Sequence, residues 1–214
     1  MTNAFTRRRF LSTVAATTVA APLAITGRNF ARPPAGDRIT LGFIGVGTMG
    51  RGHLGGFLGQ KDVQVVAVCD VVAERREDAK RIVESHYDRQ KDKGEYKGCT
   101  TYGDFRHLLA RKDLDAVVIA TPDHWHTIPC LAAAKAGLDI YCEKPLTHHI
   151  AEGRMIADAV KKYDIIFQTG SQQRSEFGNH FRKAVELVRN GRIGRLKTIR
   201  IGVGGPAVPC DLPE

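Results

Sequence analysis

A doubly wound parallel α/β sheet, followed by the start of a second α/β domain, is the fold class this 214-residue sequence predicts. Three observations carry that reading. Short apolar runs alternate strictly with helical segments from Ile39 to Gln168, the order expected of a parallel sheet with helices on both faces. The first of these runs leads into a glycine-rich turn that opens a helix. At Leu196 the pattern changes to apolar–polar alternation, L-K-T-I-R-I, the mark of a half-solvated strand in a different, antiparallel sheet.

The elements follow in order. Ile39–Val46 is an apolar run bounded by glycine, and Thr48–Leu58 reads as a helix. Val63–Cys69 (VQVVAVC) is a second buried strand. Ala73–Lys91 is a charged helix with Ala79, Ile82 and Val83 at helical spacing. Asp104 caps a short helix running to Ala110. Ala116–Ala120 (AVVIA) is a strand, His126–Ala136 a helix ended by Gly137, and Leu138–Cys142 a further strand. Helix Ala151–Tyr163, strand Ile165–Thr169 and helix Phe181–Arg189, stopped by Asn190-Gly191, lead to the alternating strand Leu196–Gly202.

Composition excludes several function classes. With 43% hydrophobic and 26% charged residues in recurring blocks, the chain buries enough apolar surface to fold. The five cysteines (Cys69, Cys99, Cys130, Cys142, Cys210) show no C-x-x-C spacing, so neither a metal site nor a redox pair is expected. The net charge of +9 falls to +6 without Arg7, Arg8 and Arg9, and the other basic residues are interleaved with acids. Nucleic acid is therefore not an expected partner.

The first residues read as an address. Thr6-Arg7-Arg8-Arg9-Phe10-Leu11 precedes an uncharged, Ala- and Thr-rich stretch to Gly27, which Pro22 breaks and which is too weakly apolar to span a membrane. It resembles a twin-arginine export signal, although Ser12 stands where that signal usually has a basic residue. Val19-Ala20-Ala21 offers a cleavage site that the following Pro22 disfavours, so a periplasmic and a membrane-tethered product both stay open. The expected organisation is a signal over 1–27, a Pro- and Gly-containing linker over 28–38 and a dinucleotide-binding domain over 39–168. Residues 169–214 form the crossover and first strand of a truncated domain.

Gly45-Val46-Gly47-Thr48-Met49-Gly50 follows a buried strand, opens a helix and precedes a second strand that ends in Asp70, 25 residues after Gly45. In that context G-x-G-x-x-G is a dinucleotide-binding fingerprint. Gly45 permits the tight turn, Gly47 lets backbone approach a pyrophosphate, and Gly50 lets helix and sheet pack closely. The helix N-terminus offers unpaired N–H groups to phosphate. Asp70 would accept from an adenosine ribose and repel a 2′-phosphate, favouring NAD over NADP, with Arg75 and Arg76 near enough to weaken that preference.

Two further groups sit at the carboxyl ends of strands, where ligands gather in such sheets. Thr121-Pro122-Asp123-His124-Trp125-His126 follows AVVIA, and Glu143-Lys144-Pro145 follows the next strand. Lys144 can offset an alkoxide or move a proton beside a nicotinamide.

The order of these motifs resembles the Gfo/Idh/MocA oxidoreductases, over about Ile39–Gly204, with Glu-Lys-Pro as the most specific element. The resemblance implies a Rossmann domain in which Thr121, Pro122, Asp123 and His126 line the dinucleotide. Asp123 stands where Asn is frequent, turning a donor into an acceptor. It implies that Lys144 works at the reacting carbon with Glu143 near the nicotinamide. Gly170–Ser175 matches the family's crossover, where Gln172 and Arg174 either touch cofactor or sugar or merely cap the sheet. The family's D-x-x-x-H pair has no match at Asn179-His180 or Glu152–Arg154, so the chain reads as the front part of a longer protein. The implied activity is oxidation or reduction of a sugar or polyol with a tightly held NAD. Two alternatives are an NAD-dependent glycosidase or lyase working by oxidation, elimination and reduction, and a non-catalytic nucleotide or sugar sensor. Expected partners are the sugar or polyol, the twin-arginine export machinery and a second copy of the chain through the C-terminal sheet.

Overall fold

The computed structural model describes residues 38–92, 96–174 and 177–202. The export signal and Cys210 lie outside them, as does the linker apart from Arg38. Six strands, β1 (Ile39–Ile44), β2 (Val63–Cys69), β3 (Thr100–Tyr102), β4 (Ala116–Ile119), β5 (Asp139–Glu143) and β6 (Phe167–Gly170), form one sheet. Every pair is parallel, in the order β3-β2-β1-β4-β5-β6. The connecting helices are α1 (Thr48–Leu58), α2 (Ala73–Asp92), α3 (Phe105–Leu109), α4 (Asp123–Lys135) and α5 (Ile150–Tyr163).

Continuous apolar runs are explained by burial on both faces: all seven residues of β2 are buried, as are five of the six in β1. Phe43, Val65, Val68, Val117 and Ile119 form the middle of the core, with Leu54, Leu108 and Leu114 packed into it. Because β1 pairs with β2 on one side and β4 on the other, strand order reverses between β1 and β4. Outside the carboxyl ends of strands at such a reversal is where a parallel sheet holds ligands.

Several boundaries differ from the sequence reading. Helix α4 begins at Asp123 rather than His126, because Pro122 serves as its N-cap and Asp123 supplies an acid to its first turn. The motif that follows AVVIA is therefore mostly a helix turn, not a loop. Strand β3 carries only three half-buried or exposed residues, too few for periodicity to register. Strand β5 runs on to Glu143, which is in register with Gly170 of β6. The half-solvated strand expected over Leu196–Gly202 is not found: those residues pair with no strand among the described residues, and Leu196, Ile199 and Ile201 are exposed. Alternation shows which side chains would share a face, but a strand also needs a ladder partner for its amides.

The described residues fall into two compact units that divide after Gly170. The second contains short turns at Gln172–Arg174 and Phe177–Asn179 and helix α6 (His180–Arg189). Asn190 and Gly191 (φ 66°) close α6 as their sequence predicts.

Candidate functional site

The turn between β1 and α1 is built by its glycines. Gly45 has φ +86°, and a Cβ there would lie 2.8 Å from the Ala120 carbonyl and the Thr121 nitrogen. A Cβ on Gly50 would come 2.1 Å from the Gly45 oxygen. By contrast, a Cβ on Gly47 would meet only the Arg75 guanidinium, at 3.7 Å. Gly45 and Gly50 are thus required by the protein's own backbone, whereas the space beside Gly47 is clear for a ligand. Gly50→Ala is expected to cost about 1–3 kcal/mol of stability by overpacking, while Gly47→Ala leaves stability nearly unchanged. Denaturant midpoints of the two variants measure the contrast, and equal midpoints would contradict it.

Helix α1 starts at this turn with no side-chain cap and no acid in its first turn. Its leading N–H groups and positive dipole end are therefore available to an anion. Thr48 and Met49 are exposed there.

Asp70, at the end of β2, is buried and accepts the Val46 amide on Oδ2 and the Val72 amide on Oδ1, both at 2.9 Å. The carboxylate thereby ties the glycine turn to the neighbouring strand. With about four lone-pair positions, it keeps capacity for a ribose hydroxyl. The two arginines separate in role. Arg76 donates to the Asp70 carbonyl (3.1 Å), whereas Arg75 faces Gly47.

At the end of β5, Glu143 is 3% exposed. Its Oε1 lies 2.6 Å from Nε2 of His53, and its Oε2 accepts the Lys144 amide at 2.7 Å. The His53 ring also packs edge-on against Tyr141, centroid to centroid 5.3 Å. Lys144 itself is exposed. A buried carboxylate thus sets the backbone from which an exposed ammonium reaches out, an arrangement suited to meeting a polar substrate.

His53 escaped the motif reading. The signal that could have found it is its place on the core-facing stripe of α1, between the buried Gly50 and Leu54. A histidine on such a stripe needs a buried partner, and Glu143 is that partner.

The motif following β4 divides into two roles. Asp123 is half-buried; the His124 amide at 2.8 Å, and then the nearby His124 and His148 rings, hold its carboxyl below the usual range against the opposing effect of desolvation. Pro122 is exposed, and Thr121 Oγ1 is buried without a hydrogen-bond partner. The family resemblance implies that His126 lines the dinucleotide; in the structure its ring is buried. The ring is 1% exposed, with Nε2 2.6 Å from the Thr121 carbonyl and Nδ1 3.0 Å from that of Pro145. Both nitrogens are occupied by backbone, so the ring joins two loops instead of presenting itself to a ligand.

Gln172 and Arg174 form a turn of the second unit; Gln172 is half-buried, and the Arg174 side chain lies outside the described residues.

The clear backbone at Gly47, the uncapped α1 terminus and the unpartnered Thr121 hydroxyl all fit a dinucleotide. Comparison with known proteins agrees. The chain is 31% identical over 169 residues to myo-inositol 2-dehydrogenase of Thermotoga maritima, covering 79% of this chain and 46% of that protein. It is 27% identical over 158 residues to 2,7-anhydro-N-acetylneuraminate hydratase of Mediterraneibacter gnavus, covering 72% and 37%. The crystal structure of myo-inositol 2-dehydrogenase from Lactobacillus plantarum superposes with a TM-score of 0.63 at 28% identity, over 74% of this chain and 43% of that one. The chain thus spans less than half the length of these relatives. The model of the oxidoreductase family with an NAD-binding Rossmann fold matches residues 39–171, well over half the chain, and the protein belongs to that family, Gfo/Idh/MocA, with NAD as its cofactor.

Proposed function

We propose that the whole protein is an exported oxidoreductase that holds NAD tightly and acts on a hydroxyl or ketone of a sugar or polyol. The observation that carries this reading is Lys144: an exposed side chain whose backbone amide is held by buried Glu143 at the end of β5, on the sheet edge that carries the glycine turn. NAD, when bound, accepts or returns a hydride. The glycine turn, α1 terminus and Asp70 bind and orient it, and Asp70 at the end of β2 favours an unphosphorylated ribose. Lys144 then offsets the charge of an alkoxide, or carries its proton, as a hydroxyl is converted to a ketone or back. Glu143, held by His53, fixes where Lys144 starts. The inositol dehydrogenase relatives support a polyol as the substrate class.

The hydratase among the relatives favours a second reading, because its name describes a reaction without net redox change. In that scheme oxidation acidifies a ring proton, elimination follows, and reduction restores the sugar. Full-length protein incubated with a panel of polyols and glycosides separates these readings. Net NADH formation supports the dehydrogenase, and conversion of the sugar without net NADH supports the elimination route. A protein that binds NAD but alters no sugar is the non-catalytic sensor, and that result would overturn both.

Export is proposed from Arg7-Arg8 and the uncharged stretch after them. Residues 1–27 fused to a reporter active only outside the cytoplasm should direct it across the bacterial inner membrane. The Arg7→Lys, Arg8→Lys double variant should abolish that; equal export by the variant would contradict the assignment. An export route for folded proteins matches a cofactor loaded before transit. NAD lost after each turnover could not be replaced where little is free, so we expect it to be retained and regenerated in place.

A further inference from the structure

His126 has a feature that cofactor lining does not account for. Nδ1 faces the Pro145 carbonyl at 3.0 Å and the Leu146 carbonyl at 3.3 Å, and Nε2 faces the Thr121 carbonyl at 2.6 Å. Carbonyl oxygens only accept, so a nitrogen that bonds to one must carry a proton. A neutral imidazole has one N–H and would set its other lone pair against a carbonyl oxygen. The doubly protonated ring gives the carbonyls on both sides a donor, whereas either neutral tautomer turns a lone pair toward one of them.

The carbonyls belong to two different loops. Thr121 follows β4, on one flank of the crevice, and its amide lies beside the turn at Gly45. Pro145 and Leu146 continue directly from Lys144. We propose that His126 is the positioning residue of the nucleotide site: a buried imidazolium that donates from both ring nitrogens and so ties the Thr121 loop to the Lys144 loop. The proposal rests on the assignment of this crevice to NAD, but not on any substrate.

The surroundings support the charge. Burial works against it, but hydrogen bonding and charge from Cys142 and the Thr121 and Pro145 carbonyls outweigh burial, pushing the ring up to about 9. Cys142, on β5, is pulled down by the hydrogen bond from Cys130 and by His126, against its own burial and the neighbouring Glu143. Cys130, on α4, is correspondingly raised and keeps its proton. The buried residues of α5, which packs on α4, are Ile156 and Ala159, neither of which titrates.

The raised histidine favours folding fully below its ordinary 6.5 and loses that effect as pH rises through about 9. The depressed thiol acts in the opposite sense, fully above its ordinary 9.0 and lost as pH falls through its lowered value. Between those limits the two compensate, so global stability is a poor reporter of the latch.

Two measurements on the whole 214-residue chain report it directly. Nitrogen-15 NMR of the His126 ring should show both nitrogens protonated at pH 7.5, with loss of one proton near pH 9. Calorimetric affinity for NAD should hold steady from pH 7 to 8 and weaken through about 9. His126→Gln should bind NAD about tenfold more weakly, as for one lost hydrogen bond, and show no step near pH 9. A neutral ring at pH 7.5 would overturn the proposal, and that readout needs neither a folded variant nor bound ligand. A wild-type affinity that passes through pH 9 unchanged would also overturn it. A chain that binds no NAD at any pH would instead remove the cofactor assignment, leaving the ring measurement to decide the latch.

Discussion

Lys144→Met in the full-length protein is expected to retain NAD while losing turnover by about 10²–10⁴, the usual effect of removing a general acid–base group. The separation follows from where the two tasks are done. The proposed phosphate site is the turn from Gly45 to Gly50 and the uncapped start of α1, neither of which involves the lysine side chain. The proposed chemistry at the reacting carbon rests on the Lys144 ammonium, which leaves from the backbone amide held by Glu143. Methionine keeps the length and the apolar stem but removes the charge and the proton. Steady-state rates together with NAD content of the purified variant measure the two effects. Unchanged turnover would remove Lys144 from the chemistry. Joint loss of NAD and turnover would mean that the lysine supports binding.

Asp70→Ala carries the second large effect, expected as a roughly 5- to 150-fold weaker NAD affinity, or about 1–3 kcal/mol. Two losses combine in it. The ribose acceptor disappears, and the Val46 and Val72 amides lose their shared carboxylate, so the glycine turn is no longer tied to β2. The advantage of NAD over NADP should narrow as well, because the negative charge that repels a 2′-phosphate is gone. Calorimetry with both dinucleotides measures the two outcomes. If the unaltered protein binds NADP more tightly than NAD, Arg75, whose guanidinium already faces Gly47, has overridden the carboxylate.

Much of this site was legible from sequence because its logic is local. VQVVAVC is a strand since all seven residues are buried, and Thr48–Leu58 is a helix that begins at the third position after Gly45. The candidate residues fall at strand ends, which a βα alternation locates without coordinates. What sequence could not reach were contacts between segments far apart in the chain. Glu143 meets His53 across 90 positions, and His126 meets Pro145 across 19. Neither pairing has a spacing rule. The family resemblance places His126 along the dinucleotide, but the motif does not show that its ring bonds to the carbonyls of Thr121 and Pro145. Leu196–Gly202 failed for a different reason: its alternation is real, but strand formation depends on a neighbour that the segment itself does not encode.

The crevice between β1 and β4 is the proposed NAD site on which the other roles depend. Titrating with NAD the purified chain, stripped of any NAD it retains, and separately the Gly47→Ala variant treated in the same way, tests it most directly. Gly47 is the one glycine of the turn whose Cβ meets only the tip of Arg75, so its replacement should leave the fold intact and obstruct the approach of the pyrophosphate. One NAD per chain, bound more tightly than NADP and clearly weakened by Gly47→Ala at unchanged stability, is the predicted result. Equal NAD affinity in the two proteins, or no binding by the unaltered chain, would contradict it.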